Sequence, residues 1–410
     1  MRGGGGVAHA DARGAYVHQF ELNSLLGMTS EQVRFVERQR FSRRQMLRLA
    51  GGTALAGAVV ACGSDSKSGS SGKGVPTGNP GSVAMLGWQG YDDQTARAPF
   101  DAAGGVLTPT YIGNNDEILA RLRGGQGSFD IVTPNAAFLP ALVLAGVLEP
   151  LDYSRIPNTA GYFPEFSKPK WNTFDGSTWG APVEWGNGPM VYRPDLIDNV
   201  PTSWMQLADP EFKDKVAMWD DGFGHIVVMA KTLGFKEPNR LTTDQLSKVS
   251  DALGKIRSNA RVVSPSLGDL SDVLARGDAA ITTQSWQGVA TFVRSKGQKA
   301  EWTVPKEGTW GWNDHYCVPK KASNVDGAYQ FINAMISSHG NATITNTFFS
   351  GTPVKDSVAL LTDEVKTIFN YNDISGELAS LGFYSLPPLK KDGDITSLDD
   401  WNAAWARIKG

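Results

Sequence analysis

Short apolar runs typical of buried strands alternate along this chain with longer runs of helical periodicity. The strand runs are three or four residues long and end in Gly, Pro or polar residues, and they cover residues 83–86, 129–132, 216–219, 279–282 and 316–318. The helical runs repeat apolar residues every three or four positions, and they cover 116–123, 136–145, 326–336 and 398–408. Strands that alternate with helices at this spacing favour parallel βαβ units with right-handed crossovers. The pattern therefore predicts an α/β fold.

Aromatic and acidic residues follow the predicted strands. In open α/β sheets, ligands bind beyond the carboxyl ends of the strands. Five such positions carry Trp, Tyr, Asn or Asp, and they are residues 88–91, 133–135, 220–221, 285–286 and 312–314. We therefore expect a ligand site with aromatic walls and carboxylates.

Charge and cysteine content exclude several classes of protein. The chain has 39 basic and 42 acidic residues and a net charge of −3, so nothing indicates nucleic-acid binding. Cys62 and Cys317 are its two cysteines, which excludes a disulfide scaffold and a multi-cysteine zinc or iron–sulfur site. The five histidines show no metal-ligand spacing. We expect neither a metal nor a cofactor.

The first sixty residues have the layout of an export signal. A basic segment with Arg43 and Arg44 precedes an apolar run over residues 49–61. That run is shorter than the roughly 20 residues that cross a bilayer, and a basic region before a short apolar region is typical of a secretory signal. The paired arginines resemble a twin-arginine motif, and Val-Val-Ala-Cys62 resembles a lipobox with a lipidated cysteine. The alternative is a chance arginine pair and a buried thiol.

Residues 63–81 are built almost entirely from Gly, Ser, Lys, Pro and Asp. Such a segment cannot bury enough apolar surface to fold. We therefore expect a flexible tether between the lipid anchor and a body that begins near Ser82.

Catalytic motifs are lacking, since the sequence has neither a G-x-S-x-G elbow nor a phosphate-binding G-x-x-x-x-G-K-[ST] loop. Three pairs of neighbouring carboxylates, at 92–93, 220–221 and 399–400, suit either acid–base chemistry or turns and helix caps. Tryptophan near aspartate suits an organic cation, because cation–π contacts contribute about 0.5–2 kcal/mol each. The alternatives are a sugar stacked on these rings or rings in the core. Trp179, Trp204, Trp401 and Trp405 are expected in the core or at the surface rather than at the ligand.

Six segments together carry a family resemblance. They are Trp88-x-x-Tyr91, FDIVTPN (129–135), APVEWGNGPMVY (181–192), TSWMQLADPEFKDKVAMWDD (202–221), QSWQGVA (284–290) and VPKEGTWGWNDHYCVPKKASN (304–324). In this order they resemble the spermidine/putrescine-binding proteins of ABC importers, from residue 82 to the C-terminus. The resemblance implies a periplasmic-binding-protein fold, with two α/β lobes that close by a hinge over a ligand in the interlobe cleft.

The resemblance also implies the role of individual residues. Trp88 and Tyr91 would line the wall of the first lobe, and Asn135 replaces a family serine that contacts the ligand. Asp221 and Asp314 would each meet one amine, while Trp286 and Trp312 would pack on the aliphatic chain. No catalytic residue is implied.

Three positions depart from the family pattern. Gly224 stands where the family tends to have Glu, and Ala137 where it often has Tyr. Glu184 is an additional acid, which either replaces the missing carboxylate or faces solvent. These changes favour a shorter diamine or another cationic amine.

The sequence thus predicts a lipid-anchored binding protein, not an enzyme, that is exported to the periplasm or cell surface. It would act as a monomer and deliver a polyamine to the permease of an ABC importer, without nucleic acid as a partner. The alternatives are another cationic amine, a sugar, or an exported hydrolase that uses Asp220, Asp221 or Asp314 as base. The predicted parts are a signal (1–61), a tether (62–81), a first lobe (82–182 and 315–370) and a second lobe (183–314 and 371–410).

Overall fold

The computed structural model describes residues 73–125 and 128–410. Its strands, in chain order, are β1 (Ser82–Gly87), β2 (Val106–Tyr111), β3 (Ile131–Val132), β4 (Leu148–Glu149), β5 (Thr173–Phe174), β6 (Ser177–Thr178), β7 (Ala181–Asn187), β8 (Met190–Tyr192), β9 (Val216–Trp219), β10 (Ala260–Ser264), β11 (Ile281–Thr282), β12 (Glu301–Thr303), β13 (Gly311–Tyr316) and β14 (Val318–Pro319). Its α-helices are α1 (Ala98–Ala102), α2 (Asp116–Gly124), α3 (Leu139–Leu144), α4 (Pro164–Ser167), α5 (Gly222–Thr232), α6 (Thr243–Asn259), α7 (Leu267–Arg276), α8 (Gly288–Ser295), α9 (Val325–Met335), α10 (Ser338–Phe348), α11 (Asp363–Lys366), α12 (Ile374–Leu381) and α13 (Leu398–Lys409). Short 3-10 turns cover Ala136–Phe138, Tyr153–Arg155, Pro157–Gly161, Trp204–Ala208, Pro210–Phe212 and Lys355–Leu360. Within the described ranges, every helix is too short or too polar to span a lipid bilayer.

The sheet of the first lobe has the order β2-β1-β3, and all of its strands are parallel. Val83, Met85 and Leu86 are buried on β1, as its short apolar sequence predicts. Helix α2 connects β2 to β3 and ends at Gly125, whose φ of 64° favours glycine. The predicted parallel βαβ arrangement is therefore confirmed in this lobe.

The sheet of the second lobe has the order β10-β9-β11-β8-β12. Strands β10, β9 and β11 are parallel, whereas β8 and β12 join antiparallel at one edge. Helix α5 begins directly after β9, with Asp221 as its N-cap. This places Asp220 and Asp221 at the carboxyl end of β9, as the sequence predicted.

Strands β7 and β13 join the two lobes. The chain runs from β7 into β8 of the second sheet, and it returns from β12 through β13 to β14. The two strands pair antiparallel, and Asp314 lies directly opposite Glu184. The segment that follows α12 lies next to β13, since the Gly311 amide donates to the Gly382 carbonyl at 2.9 Å.

One main apolar cluster belongs to each lobe, and another large cluster is shared between the lobes. The first includes Val83, Phe100 and Ile374, the second includes Leu270, and the third joins residues of both sheets. Because Ile374 lies on α12, this helix packs on the first lobe. The predicted lobe boundaries stay a prediction, and this packing favours a boundary after Leu381 rather than at residue 371.

Two local predictions were wrong. Residues 312–314 do not follow a strand but lie within β13, because pairing with β7 extends the ladder over polar residues that have no strand pattern of their own. Part of the predicted tether also contacts the body, since Pro80 is buried and the Gly74 amide donates to the Ser154 carbonyl at 2.8 Å. The rest of that tether, the lipobox Cys62 and the export arginines Arg43 and Arg44 lie outside the described residues.

Candidate functional site

The loops after the strands of the two lobes meet at Trp88. Its amide donates to the Thr133 hydroxyl at 3.0 Å, which ties the loop after β1 to the loop after β3. Its ring lies 6.5 Å, centroid to centroid, from the ring of Trp219 at the end of β9. Trp88 therefore packs against the apolar clusters of both lobes.

Asp314 is held by two side chains of the first lobe. The Tyr91 hydroxyl donates to Oδ2 at 2.8 Å, and the Asn135 amide donates to Oδ1 at 2.9 Å. Asn135 also caps the following turn, because its Oδ1 accepts from the Ala137 amide at 2.9 Å. Burial raises the pKa of Asp314 to about 7, while the two hydrogen bonds act in the opposite direction.

Glu184 is fully buried, so the alternative that it faces solvent is wrong. Among the described residues, no hydrogen-bond donor pairs with either of its carboxyl oxygens. Burial raises its pKa well above the usual range, the charge of Asp314 raises it further, and the nearby hydroxyls of Ser350 and Tyr91 lower it. The sequence identified Glu184 as an additional acid but not its environment.

Asp221 lies in the second lobe and accepts hydrogen bonds from neutral donors. The Gln284 amide donates to its Oδ2 at 2.9 Å, and the Gly224 backbone amide donates to its Oδ1 at 3.3 Å. Burial raises the pKa of Asp221 to about 6, and both hydrogen bonds lower it. Gln284 in turn accepts from the Trp310 indole at 3.3 Å.

The absence of a side chain at Gly224 has a local cause. A Cβ there would lie 2.3 Å from the Asp221 carboxylate and 2.7 Å from the Gln284 amide. The space that a family glutamate would occupy is therefore taken up by the contact between Asp221 and Gln284.

Trp286 and Trp312 form further aromatic walls between the lobes. The Trp286 ring lies 5.2 Å from Phe348 of α10, and the same Phe348 ring lies 6.0 Å from Tyr91. Trp312 lies over Gly186, and its indole donates to the Asn187 carbonyl at 3.0 Å. Of the core or surface positions expected for Trp179, Trp204, Trp401 and Trp405, the structure shows the core, where all four are buried.

Three indole N–H groups at this interface have no acceptor among the described residues, and they belong to Trp88, Trp219 and Trp286. Buried donors are normally paired with protein or ligand atoms. They therefore offer hydrogen bonds to acceptor atoms, such as those of a ligand or of water.

The carboxylate next to Asp221 is already paired. Asp220 accepts from the Trp405 indole at 2.7 Å and from the Lys409 ammonium at 2.7 Å. His225 lies between the Asp221 carbonyl and the Thr283 hydroxyl, at 2.6 Å from each, and burial lowers its pKa to about 4. This arrangement gives no support to Asp220 as a catalytic base.

Metal-binding chemistry has no counterpart in the described ranges, where His, Cys, Asp and Glu form no group of three that could hold an ion. A cavity of about 250 Å³ borders Asn135 and is also lined by Ala137, Trp171, Phe383 and Tyr384. The cavity lies beside the segment that follows α12, where the Leu386 amide donates to the Ala137 carbonyl at 3.1 Å.

Three residues of the site were not singled out from the sequence. Trp219 ends the predicted strand 216–219, so its place at a strand end was a usable signal. Gln284 stands two residues before Trp286, in the same short segment. Ser350 follows α10 and gave no signal, because it comes close to Glu184 only through pairing of distant segments.

Comparisons with known proteins agree with this architecture. The family described as bacterial extracellular solute-binding protein matches residues 96–370. The putrescine-binding periplasmic protein PotF of Escherichia coli (strain K12) is 27% identical over 321 residues, which cover 73% of this chain and 86% of PotF.

Two solved structures show the same fold. A putative spermidine/putrescine ABC transporter protein from Listeria monocytogenes has a TM-score of 0.69 at 22% identity, covering 80% of this chain and 98% of that one. MotA from A. tumefaciens B6, in complex with glucopine, has a TM-score of 0.65 at 20% identity, covering 80% of this chain and 100% of that one. The fold thus occurs with different ligands.

Proposed function

The chain belongs to the bacterial extracellular solute-binding protein family, and on that premise we propose that it captures a polyamine of the putrescine or spermidine type between its lobes. It has no chemistry of its own and delivers the amine to the permease of an ABC importer. The similarity to putrescine-binding PotF supports this ligand class.

One observation carries the proposal, which is that the acidic side chains of the cleft have no cationic partner among the described residues. Asp314 and Asp221 accept hydrogen bonds from Tyr91, Asn135, Gln284 and a backbone amide, all of which are neutral. A buried carboxylate is costly unless a cation or several donors stabilise it. An organic ammonium group from solution supplies that missing charge.

Aromatic side chains supply the walls for the carbon chain of such an amine. Trp88, Trp286 and Trp312 are partly buried and lie beside these carboxylates or the strands that carry them. Aromatic faces favour ammonium groups and their adjacent methylenes, with contributions of about 0.5–2 kcal/mol per cation–π contact. A diamine with two charged ends fits carboxylates in both lobes.

A second ligand class is favoured by the unpartnered indole groups of Trp88, Trp219 and Trp286. A diamine chain has no acceptor atoms between its ends, so water molecules must then pair with these donors. A cationic ligand that also carries oxygen acceptors, or a sugar, would pair with them directly.

For the route to the membrane, we propose export through the twin-arginine motif at Arg43 and Arg44. Lipidation of Cys62 then tethers the chain to the membrane or cell surface. With this single anchor, the body works as a monomer beside its permease.

Tryptophan fluorescence tests the ligand class, because all 12 tryptophans lie beyond residue 87. The purified protein is titrated with putrescine, spermidine and glucose at low and high salt. We expect saturation at micromolar concentrations of amine, which corresponds to a binding free energy of about −8 kcal/mol. Binding should be weaker at high salt, because ions screen the carboxylates. No response to either amine, together with a response to glucose, contradicts the amine assignment.

A further inference from the structure

Glu184 and Asp314 face each other from the two strands that join the lobes. They are direct partners in the antiparallel ladder, so their side chains leave the same face. Asn135 pairs with Asp314 on the next segment, while Trp185 pairs with Gly351 on the other side of β7. Four neighbouring backbone segments therefore hold this pair in place.

The two carboxyl groups differ in how they are paired. Each oxygen of Asp314 accepts one hydrogen bond, from Tyr91 or from Asn135. Among the described residues, no donor reaches either oxygen of Glu184 in full hydrogen-bond geometry, although its side chain is 0% exposed. The hydroxyls of Ser350 and Tyr91 lie near enough to lower its pKa. A fully buried carboxyl with so little hydrogen bonding is stabilised by a proton or a cation.

In the part of the chain that the structure describes, no charged base faces the pair from the elements packed around it. The titratable groups near Glu184 are Asp314 and the phenols of Tyr91, Tyr316 and Tyr371. His315 follows Asp314 but is buried, and its pKa is lowered to about 3, so it is neutral. The described ion pairs include neither Glu184 nor Asp314.

Resting on the proposed function, we propose that Glu184 and Asp314 form one subsite, which gives up a single proton when it takes the terminal ammonium group of the ligand. The O–H bond of one carboxylic acid breaks, and its proton passes to solvent. The ammonium group keeps its own protons and donates hydrogen bonds to the resulting carboxylates.

Burial of both carboxyl groups, together with the charge of Asp314 beside Glu184, agrees with this exchange. The pKa of Asp314 is raised to about 7, and that of Glu184 is raised well above its usual range. The empty pair therefore holds a proton at neutral pH, and a bound cation lowers the pKa of the pair. Binding then releases a proton, so the affinity for amine rises with pH until the empty pair is fully ionised.

The exchange also selects the ligand terminus. A ligand that ends in a neutral hydroxyl cannot offset the negative charge of a second carboxylate. The pair then keeps its proton, and one of its two carboxyl groups stays a neutral acid. The subsite therefore discriminates against neutral ends, which is a role that Glu184 adds to Asp314.

The protein is titrated with putrescine at pH 7.5 in a calorimeter, once in phosphate and once in Tris. The two buffers differ in their heat of ionisation, so the difference between the two measured binding enthalpies gives the number of protons released. At this pH Asp221, whose pKa is about 6, is already ionised and contributes little. We expect the parent to release a measurable amount of proton and its Kd to fall from pH 7 to pH 8, by at most tenfold for one full proton. For Glu184→Gln we expect clearly smaller proton release and a weaker change of Kd with pH.

Two further variants keep the test decisive. Asp221→Asn removes a carboxylate at the other end of the cleft, so it should weaken binding yet keep the proton release. Glu184→Met has similar volume without a polar group, and it repeats the test if Glu184→Gln does not fold. Thermal unfolding of each variant, followed by circular dichroism, verifies folding.

The outcomes separate this inference from the proposed function. Saturable amine binding without proton release by the parent, or equal release by parent and Glu184→Gln, overturns the exchange but leaves amine binding intact. If the folded parent does not bind putrescine, spermidine or another amine, the proposed function fails and the exchange fails with it.

Discussion

The two acidic ends of the proposed ligand cleft are built in different ways. Asp314 lies within the ladder that joins the lobes, with Glu184 opposite and neutral donors from the first lobe on both oxygens. Asp221 instead caps helix α5 in the second lobe and has Gln284 as its side-chain donor. One end therefore has two buried carboxyl groups, whereas the other has one carboxylate at a helix N-terminus.

This difference affects how strongly each end attracts a cation. The N-terminus of α5 carries a partial positive charge, which stabilises the Asp221 carboxylate and opposes an ammonium group nearby. The Asp314 end has no helix N-cap at its carboxylate and has a second acid instead. We expect most of the binding free energy for an amine to come from the Asp314 end.

Removing the charge at Asp314 should have the largest effect. Loss of one partner of a buried charge pair costs about 2–5 kcal/mol, so Asp314→Asn should raise the Kd for putrescine by roughly 30-fold to several thousandfold. Asp221→Asn should raise it less, because asparagine still caps α5 and Asp221 is less buried than Asp314. Fluorescence titration of both variants measures the order.

The same two variants offer a control, since both preserve the size of the side chain. Circular dichroism should show the parent's helix content in each. Equal losses of affinity at the two ends would contradict the asymmetry, and a greater loss for Asp221→Asn would reverse it.

Adding a carboxylate at Gly224 should have an intermediate effect. A Cβ at this position would lie 2.3 Å from the Asp221 carboxylate, and overpacking of this kind costs about 1–3 kcal/mol. We therefore expect Gly224→Glu to weaken putrescine binding by roughly tenfold rather than restore a family contact. Isothermal titration measures the Kd.

Gly224→Ala is the matched control, because it adds the same Cβ without the charge. Combining Gly224→Glu with Gln284→Ala removes the 2.7 Å contact with the Gln284 amide but not the contact with Asp221, so this double variant should recover part of the affinity lost by Gly224→Glu alone. If Gly224→Glu by itself binds either amine more tightly than the parent, the steric argument is wrong.

The parts of the fold that sequence predicted well are local. Residues 216–219 form β9 with the predicted bounds, since four apolar residues before two aspartates leave little choice of structure. Residues 116–123 likewise fall within α2. Each of these elements is determined by apolar spacing and by the residues that end it.

The parts that sequence predicted poorly depend on distant segments. Strand β7 contains Pro182, Glu184 and Gly186, so it shows no strand pattern, and it forms through pairing with β13. The same pairing sets Glu184 opposite Asp314. Burial of Glu184 follows from this topology, which no local periodicity encodes.

Asp220 provides the smallest expected effect, because it adjoins Asp221 but is paired within the protein. Its carboxylate accepts from Lys409 and Trp405, each at 2.7 Å. Asp220→Asn should therefore change the Kd for putrescine by no more than about threefold, which corresponds to roughly 0.6 kcal/mol. Its free energy of unfolding should fall by about 1 kcal/mol or less, since the Lys409 ion pair is partly exposed and screened by solvent.

Charge reversal at the partner is the control for this last prediction. Lys409→Glu leaves the ligand carboxylates untouched but breaks the pair with Asp220, so it should lower stability without a comparable loss of affinity. Denaturant unfolding and amine titration of both variants separate the two effects. A loss of affinity in Asp220→Asn as large as that in Asp221→Asn would mean that both aspartates meet the ligand, and the second end of the cleft would then match the first in its number of acids.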